Sequence, residues 1–151
     1  RTWITGRVLG SRAPLGPVTP VAKSILKYAT MGAGSAPHMV EACARIVHAC
    51  PRKVRYAWSH VLDLLDLDHG VRELAVPTAV LVGTADRLTP PVHAHALAAA
   101  LPQSLGVTEL PGLGHMTPVE APELVTGKIR QLVATYTRTH ARTHTQVKEG
   151  A

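Results

Sequence analysis

The stretch VPTAVLVGTAD, residues 76–86, decides the fold of this chain. Residues 78–83 form a short, nearly continuous apolar run, which is typical of a strand buried on both faces of a parallel sheet. Pro77 precedes the run and Gly83 closes it, so both limits of the strand are marked. The sequence therefore predicts a buried strand over residues 78–83, with Asp86 just beyond its carboxyl end.

A helix, a second strand and another helix follow this first strand. Residues 90–101 are rich in alanine and begin with two prolines, which suit the first turn of a helix. Residues 106–110 alternate as a strand does, and residues 118–136 carry apolar side chains at helical spacing. This order predicts an α/β fold with two parallel strands joined by a right-handed crossover.

The loop PGLGH, residues 111–115, places a histidine beyond the second strand as Asp86 lies beyond the first. The carboxyl ends of parallel strands meet at one edge of a sheet, so we expect the Asp86 carboxylate to contact the His115 imidazole. Such a carboxylate orients the ring and stabilises the imidazolium that forms when the ring takes a proton. Asp86 and His115 are therefore predicted to be a catalytic pair that serves a nucleophile, with no cofactor and no metal.

The first part of the chain has a helical pattern. Residues 1–37 are rich in Gly and Pro and are expected to be loop, apart from one short helix over residues 21–31. Residues 38–50 and 52–65 each carry a single apolar stripe, and Pro51 separates them. Two amphipathic helices are predicted, each of which needs another surface to cover its stripe.

Other reactive side chains are weaker candidates. Cys43 and Cys50 share one helix face at a separation of roughly 10 Å along the axis, too far for a disulfide, so both are expected to be core-facing free thiols. Trp58 is expected to pack within its apolar stripe. The remaining acids and histidines have no spacing typical of a metal site and are expected to be helix-end or surface residues: Asp63, Asp66, Asp68, His69, His93, His95, His140 and His144.

Two segments of the chain resemble the α/β-hydrolases. Residues 76–90, VPTAVLVGTADRLTP, resemble the acid strand and loop of that family, in which G-x-x-D ends the strand. Residues 111–123, PGLGHMTPVEAPE, resemble its histidine loop and closing helix. The family's chain order is nucleophile, acid, histidine. The resemblance covers residues 71–136 and implies that Asp86 is the triad acid and His115 the base.

The resemblance also divides the chain. It implies a helical cap or lid over residues 1–70 and the C-terminal part of an α/β-hydrolase core over residues 71–136. The fold class is then the C-terminal half of an α/β-hydrolase fold, a cap segment followed by strand, helix, strand and helix. Residues 137–151 are polar, and we expect a disordered tail there.

The nucleophile elbow of the family, G-x-S-x-G, is absent from this sequence. Ser35 lies in GAGSAP, without glycines at the required offsets, and is expected to be a loop or helix-cap residue. The chain begins with Arg1, which we interpret as missing upstream sequence. We therefore expect this chain alone to be inactive, and its intact form to be a serine-type esterase or lipase acting on a small apolar ester.

Two alternatives stay open from the sequence. Epoxide hydrolases and dehalogenases of the same family use an aspartate nucleophile and would keep the same Asp86 and His115. The second alternative is that the chain is a non-catalytic truncated fragment, or a module whose partner supplies the rest of the sheet. In either case an open sheet edge favours self-association or pairing with the missing N-terminal half.

Composition limits the compartment and the partners. The chain is 46% hydrophobic and 17% charged, as a globular domain is. Its net charge of +6 is concentrated in residues 1–60, which hold nine Lys or Arg and one acid. Such a segment favours weak contact with an anionic membrane surface, or is simply a solvated basic face. Aromatic residues are not interleaved with these charges, which argues against nucleic acid. With no signal pattern and no spanning segment, we expect a cytoplasmic location unless a signal lies upstream.

Overall fold

The computed structural model describes the backbone of residues 17–149 and the side chains of residues 17–137. This part of the chain forms two compact units, one that ends at Glu120 and one that begins at Ala121. Several predicted features lie outside the described side chains, namely Arg1, Arg7 and Arg12 of the basic segment and the tail histidines His140 and His144.

From residue 17 onward, four helices precede the sheet. Their bounds are α1 Pro20–Thr30, α2 Pro37–Ala49, α3 Arg52–Leu64 and the short α4 Asp68–Arg72. The Thr19 side chain caps α1 by accepting the Ala22 N–H at 3.1 Å. Proline occupies the first turn of α2, and Pro51 separates α2 from α3 because proline cannot continue a helix. The three longer helices confirm the sequence prediction, whereas α4 was not predicted.

The sheet contains two strands in the described residues. β1 spans Thr78–Gly83 and β2 spans Ser104–Leu110, with α5, Pro91–Ala100, between them and packed against both. The strands are parallel, as predicted, and Gly83 pairs with Leu110 where they end. In β1 only Val82 and Gly83 are buried. The expectation of burial along the whole strand is wrong, because this two-stranded sheet leaves the first four residues partly uncovered.

An apolar core lies between α1 and α2. It is made of Leu26, Met31, Val40, Cys43 and Ala44. Met116 and Val119 are partly buried and pack against this core from beyond β2. The core of the helical segment therefore extends beneath the loop that carries His115.

The predicted final helix over residues 118–136 is two helices. A short turn, α6, spans Thr117–Glu120, and α7 spans Pro122–Glu149. Pro122 begins α7, since proline fits a first turn but lacks the N–H needed later in a helix. α7 continues to Glu149, beyond residue 136 at which the predicted final helix ends, and the disordered tail over residues 137–151 stays a prediction. No Gly or Pro interrupts the sequence between Gly127 and Gly150, so nothing there breaks a helix.

None of the helices within residues 17–149 combines the length and the apolar character that crossing a bilayer requires. The boundary between residues 70 and 71 stays a prediction.

Candidate active site

Asp86 lies in the acid loop, residues 84–90, and its own carboxylate closes the turn that holds it. Oδ1 accepts the N–H groups of Leu88 at 2.8 Å and Thr89 at 2.9 Å. Oδ2 accepts the Thr89 hydroxyl at 2.9 Å. Aspartate forms such turns because its short side chain reaches the backbone two and three residues ahead. The Asp86 side chain is only 5% exposed, so the carboxylate has a fixed orientation.

His115 lies in the histidine loop, residues 111–116, and contacts Asp86. Its Nδ1 is 2.9 Å from Asp86 Oδ2, so the predicted contact is present in the structure. Asp86 and His115 follow β1 and β2 respectively, at the edge where the two parallel strands end. The His115 side chain is 40% exposed, which leaves the ring accessible to a reacting group. The catalytic roles of the two residues stay a prediction.

Thr89 is a third member of this site that the sequence argument did not identify. Its Oγ1 lies 2.9 Å from Asp86 Oδ2 and 3.1 Å from His115 Nδ1. A threonine hydroxyl has a single proton, which it donates to the carboxylate, so Oγ1 can act toward the ring only as an acceptor. Both contacts favour the tautomer with its proton on Nδ1. The lone pair then lies on Nε2, on the opposite side of the ring, where a base needs it.

The pKa of Asp86 is held below its ordinary value. Burial of the carboxyl acts in the opposite direction and raises the pKa, because it penalises the charged form. The hydrogen bond from the Thr89 N–H, the contact with His115 and the Thr89 hydroxyl together outweigh that penalty. Asp86 is therefore a carboxylate at neutral pH, the form that can orient the imidazole.

The backbone of the histidine loop is anchored to the end of α1. The N–H groups of His115 and Met116 both donate to the Thr30 carbonyl, at 2.9 and 3.1 Å. Gly114 lies so close to α1 that a Cβ there would stand 2.5 Å from the Met31 Cα. Gly112 has φ +71°, a conformation that glycine adopts without strain. The glycines beside His115 thus allow both a tight turn and a close approach.

The acid loop also contacts α1. The Arg87 guanidinium donates to the Tyr28 carbonyl at 2.9 Å and lies 4.4 Å from the centre of the Tyr28 ring. A guanidinium over an aromatic face is a favourable contact. Both loops of the candidate site are therefore attached to the last residues of α1.

A buried carboxylate, Glu120, was also missed in the sequence. Its Oε1 accepts the Gly32 N–H at 2.6 Å and the Ser35 hydroxyl at 2.7 Å, and its Oε2 accepts the Gly114 N–H at 3.0 Å. The available signal was an acid five residues after His115, but its partners lie more than eighty residues away in two cases. Ser35 is a buried loop residue, as expected, and Ala36 holds the N-cap position of α2.

The remaining candidates lie outside this site. His95 pairs with Glu109 on the surface, with Nε2 and Oε1 2.7 Å apart. Asp63 lies at the end of α3, Asp66 in the connection that follows, and Asp68 and His69 in α4. The described residues contain no cluster of three metal-ligating side chains. Cys43 is buried and Cys50 half-buried, and both are free thiols.

The stripe on α3 is exposed. α3 contributes no buried residue, and Trp58 is 59% exposed, so the expectation that Trp58 packs within its stripe is wrong for this structure. The exposed apolar members of the stripe are Val54, Trp58, Val61, Leu62 and Leu65.

Comparison with known proteins gives likenesses in structure. No protein-family model and no curated protein sequence matches the chain. A thermophilic esterase from Thermogutta terrifontis is 25% identical with a TM-score of 0.70, over 89% of this chain and 50% of that one. A bacterial membrane phospholipase A is 16% identical with a TM-score of 0.63, over 89% of this chain and 44% of that one. An α/β hydrolase from a Medee basin deep-sea metagenome is 17% identical with a TM-score of 0.57, over 82% and 46%. The chain spans about half the length of the structures it matches.

Proposed function

We propose that this chain, which has the fold of the C-terminal portion of an α/β-hydrolase, belongs to an enzyme that hydrolyses carboxylic or lipid-like esters through a serine nucleophile. The observation that carries the proposal is the 2.9 Å contact between Asp86 Oδ2 and His115 Nδ1 where two parallel strands end. The esterase and the phospholipase among the similar structures support the ester class of substrate.

In this mechanism the chain contributes the base and the acid that orients it. The serine hydroxyl attacks the ester carbonyl carbon while His115 Nε2 takes the hydroxyl proton, and the imidazolium then returns that proton to the leaving alcohol. Water attacks the acyl-enzyme with the same help from His115, which releases the carboxylic acid and restores the serine. Asp86 remains ionised throughout and stabilises the imidazolium.

The nucleophile in this proposal lies outside the chain. G-x-S-x-G is absent from the sequence, and the Ser35 hydroxyl is committed to the buried Glu120 carboxylate rather than to an imidazole. The half-length match to the similar structures supports the same interpretation. We therefore expect the missing part of the enzyme to supply the serine.

The substrate and the partners follow from the exposed apolar surface. The stripe on α3 suits either an apolar substrate or the missing part of the enzyme. In the absence of that part, we expect the chain to self-associate through the open edge of its sheet. The basic residues before residue 60 would add a weak contact with anionic membranes.

The test is to assay short-chain aryl esters with the complete protein that contains this chain and with the chain alone. We expect turnover by the complete protein only. His115→Gln should lower kcat by about 10⁴-fold, the scale of losing a triad member. His95→Gln is the matched control, since it removes another exposed histidine that is paired with a carboxylate.

Three results would contradict the proposal. Ester turnover by the chain alone would contradict the missing nucleophile. If the His115→Gln enzyme is as active as the His95→Gln enzyme, Asp86 and His115 are not the catalytic pair. Turnover of epoxides or haloalkanes without turnover of esters would assign the protein to the relatives with an aspartate nucleophile.

A further inference from the structure

The buried Glu120 carboxylate joins two distant parts of the chain. Glu120 is 8% exposed, and it accepts three hydrogen bonds from groups that are themselves buried. Two donors, Gly32 and Ser35, come from the connection between α1 and α2, and the third is the N–H of Gly114. A buried carboxylate is costly unless its oxygens are hydrogen-bonded, so these donors account for its presence.

The Gly114 donor is directly adjacent to His115. Its N–H meets Oε2, while the next two N–H groups of the chain, those of His115 and Met116, meet the Thr30 carbonyl. Three consecutive backbone donors of the histidine loop are therefore fixed against residues 30–35, one of them through Glu120. α6 makes this possible, because the N–H groups of Val119 and Glu120 donate to Met116 and turn the chain back toward Gly114.

We propose that Glu120 is a positioning residue for His115, which fixes the loop backbone so that Nδ1 remains on the Asp86 carboxylate. It touches neither the imidazole nor the reacting atoms, and it acts through the Gly114 N–H. This inference rests on the proposed function, in which His115 is the base.

The variant Glu120→Gln tests the Gly114 arm selectively. The amide keeps one oxygen for Gly32 and Ser35 but presents an NH₂ group toward the Gly114 N–H, which places a donor against a donor. Ser35→Ala is the matched control, because it removes a different donor to the same carboxylate and leaves the histidine loop untouched.

The primary readout is the Nδ1–H proton of His115, observed by NMR in the full 151-residue chain labelled with ¹⁵N-histidine. Asp86→Asn identifies the signal by abolishing it. In Glu120→Gln we expect this proton to exchange with water at least about tenfold faster, the effect of losing one charge-assisted hydrogen bond. Ser35→Ala should keep the wild-type rate. In the complete enzyme, Glu120→Gln should lower kcat by about tenfold with KM little changed.

The outcomes separate the two proposals. If no Asp86-dependent Nδ1–H signal exists in the wild-type chain, the catalytic pair itself is refuted, and the role of Glu120 with it. If the signal exists but Glu120→Gln leaves it unchanged, or Ser35→Ala disturbs it equally, the role of Glu120 alone is refuted. If Glu120→Gln does not fold, amide exchange of the unmodified chain tests the inference instead. The inference requires the Gly114 N–H to be protected from exchange, and exchange at the rate of an open loop overturns it.

Discussion

The acid loop and the histidine loop share several hydrogen bonds, among them the Asp86–His115 contact and the bond from the Ala85 N–H to the Leu113 carbonyl, but their functional side chains are held by different kinds of contact. The Asp86 carboxylate is oriented by Leu88 and Thr89, two and three residues ahead of it. The histidine loop depends on distant residues, the Thr30 carbonyl and the Met31–Gly32 backbone, and on the Glu120 side chain. The acid is thus positioned by its own neighbours, whereas the base is positioned by the tertiary structure.

The largest effect is expected where the histidine loop touches the end of α1. In Gly114→Ala the new Cβ would stand 2.5 Å from the Met31 Cα and 2.8 Å from the Gly32 nitrogen, and backbone atoms cannot rotate away. We expect the free energy of unfolding to fall by about 3 kcal/mol, the upper range for overpacking, as measured by urea denaturation.

The control for this substitution is Gly34→Ala, where a Cβ would meet nothing within 4 Å. If the two alanine variants unfold at the same urea concentration, the histidine loop does not depend on its contact with α1, and the comparison between the loops fails.

A smaller and more local effect is expected in the acid loop. Thr89→Val removes the hydroxyl but keeps the shape, so Asp86 Oδ2 loses a donor. The pKa of Asp86 should rise toward its ordinary value, which ¹³C NMR titration of the carboxyl would measure. Activity of the complete enzyme should fall by about tenfold, as expected for one hydrogen bond to a charged group.

Thr89→Ser should keep the low pKa of Asp86 and the activity, since serine retains the hydroxyl. Amide exchange at Gly114 should be unaffected in either variant, because the Gly114 N–H donates to Glu120 and not to the acid loop. Loss of protection at Gly114 in Thr89→Val would mean that the Gly114 contact with Glu120 depends on the acid loop.

The smallest effect is a dependence of stability on acid. The folded-state pKa of Asp86 lies below the unfolded value of about 3.9, so its contribution to stability is complete above that value. The contribution is lost as the pH falls through the folded-state pKa. Urea midpoints of the wild-type chain should therefore fall more steeply below about pH 4 than those of Asp86→Asn. Parallel curves for the two proteins would show that the lowered pKa does not stabilise the fold.

The same difference between local and distant contacts explains how much the sequence could predict. The strand at residues 78–83 was predicted from its apolar run, and the edge shared by Asp86 and His115 from the parallel topology. Hydrophobic periodicity and proline likewise located α1, α2 and α3. Each of these signals lies within a few residues of the feature it predicts.

The rest could not be predicted because its causes lie far apart in the chain. Nothing near Glu120 indicates that Gly32 and Ser35 will donate to its carboxylate. The exposure of Trp58 was missed for the same reason, since its helical stripe predicts burial only if another surface covers it. The length of α7 was missed because residues 137–149 are mostly polar, although no Gly or Pro there breaks a helix.

Gly83 allows the end of β1 to lie directly against the histidine loop. A Cβ at this last residue of β1 would stand 2.3 Å from the carbonyl oxygens of Leu113 and Gly114, so strand and loop touch through backbone alone. A contact between backbone atoms has no side-chain rotamers, so it cannot adapt when a neighbouring residue is substituted. For the same reason its formation costs no side-chain entropy. The distance between Asp86 and His115 is therefore set by rigid backbone on both sides. Even one added methyl group at position 83 would push the histidine loop away from the end of β1.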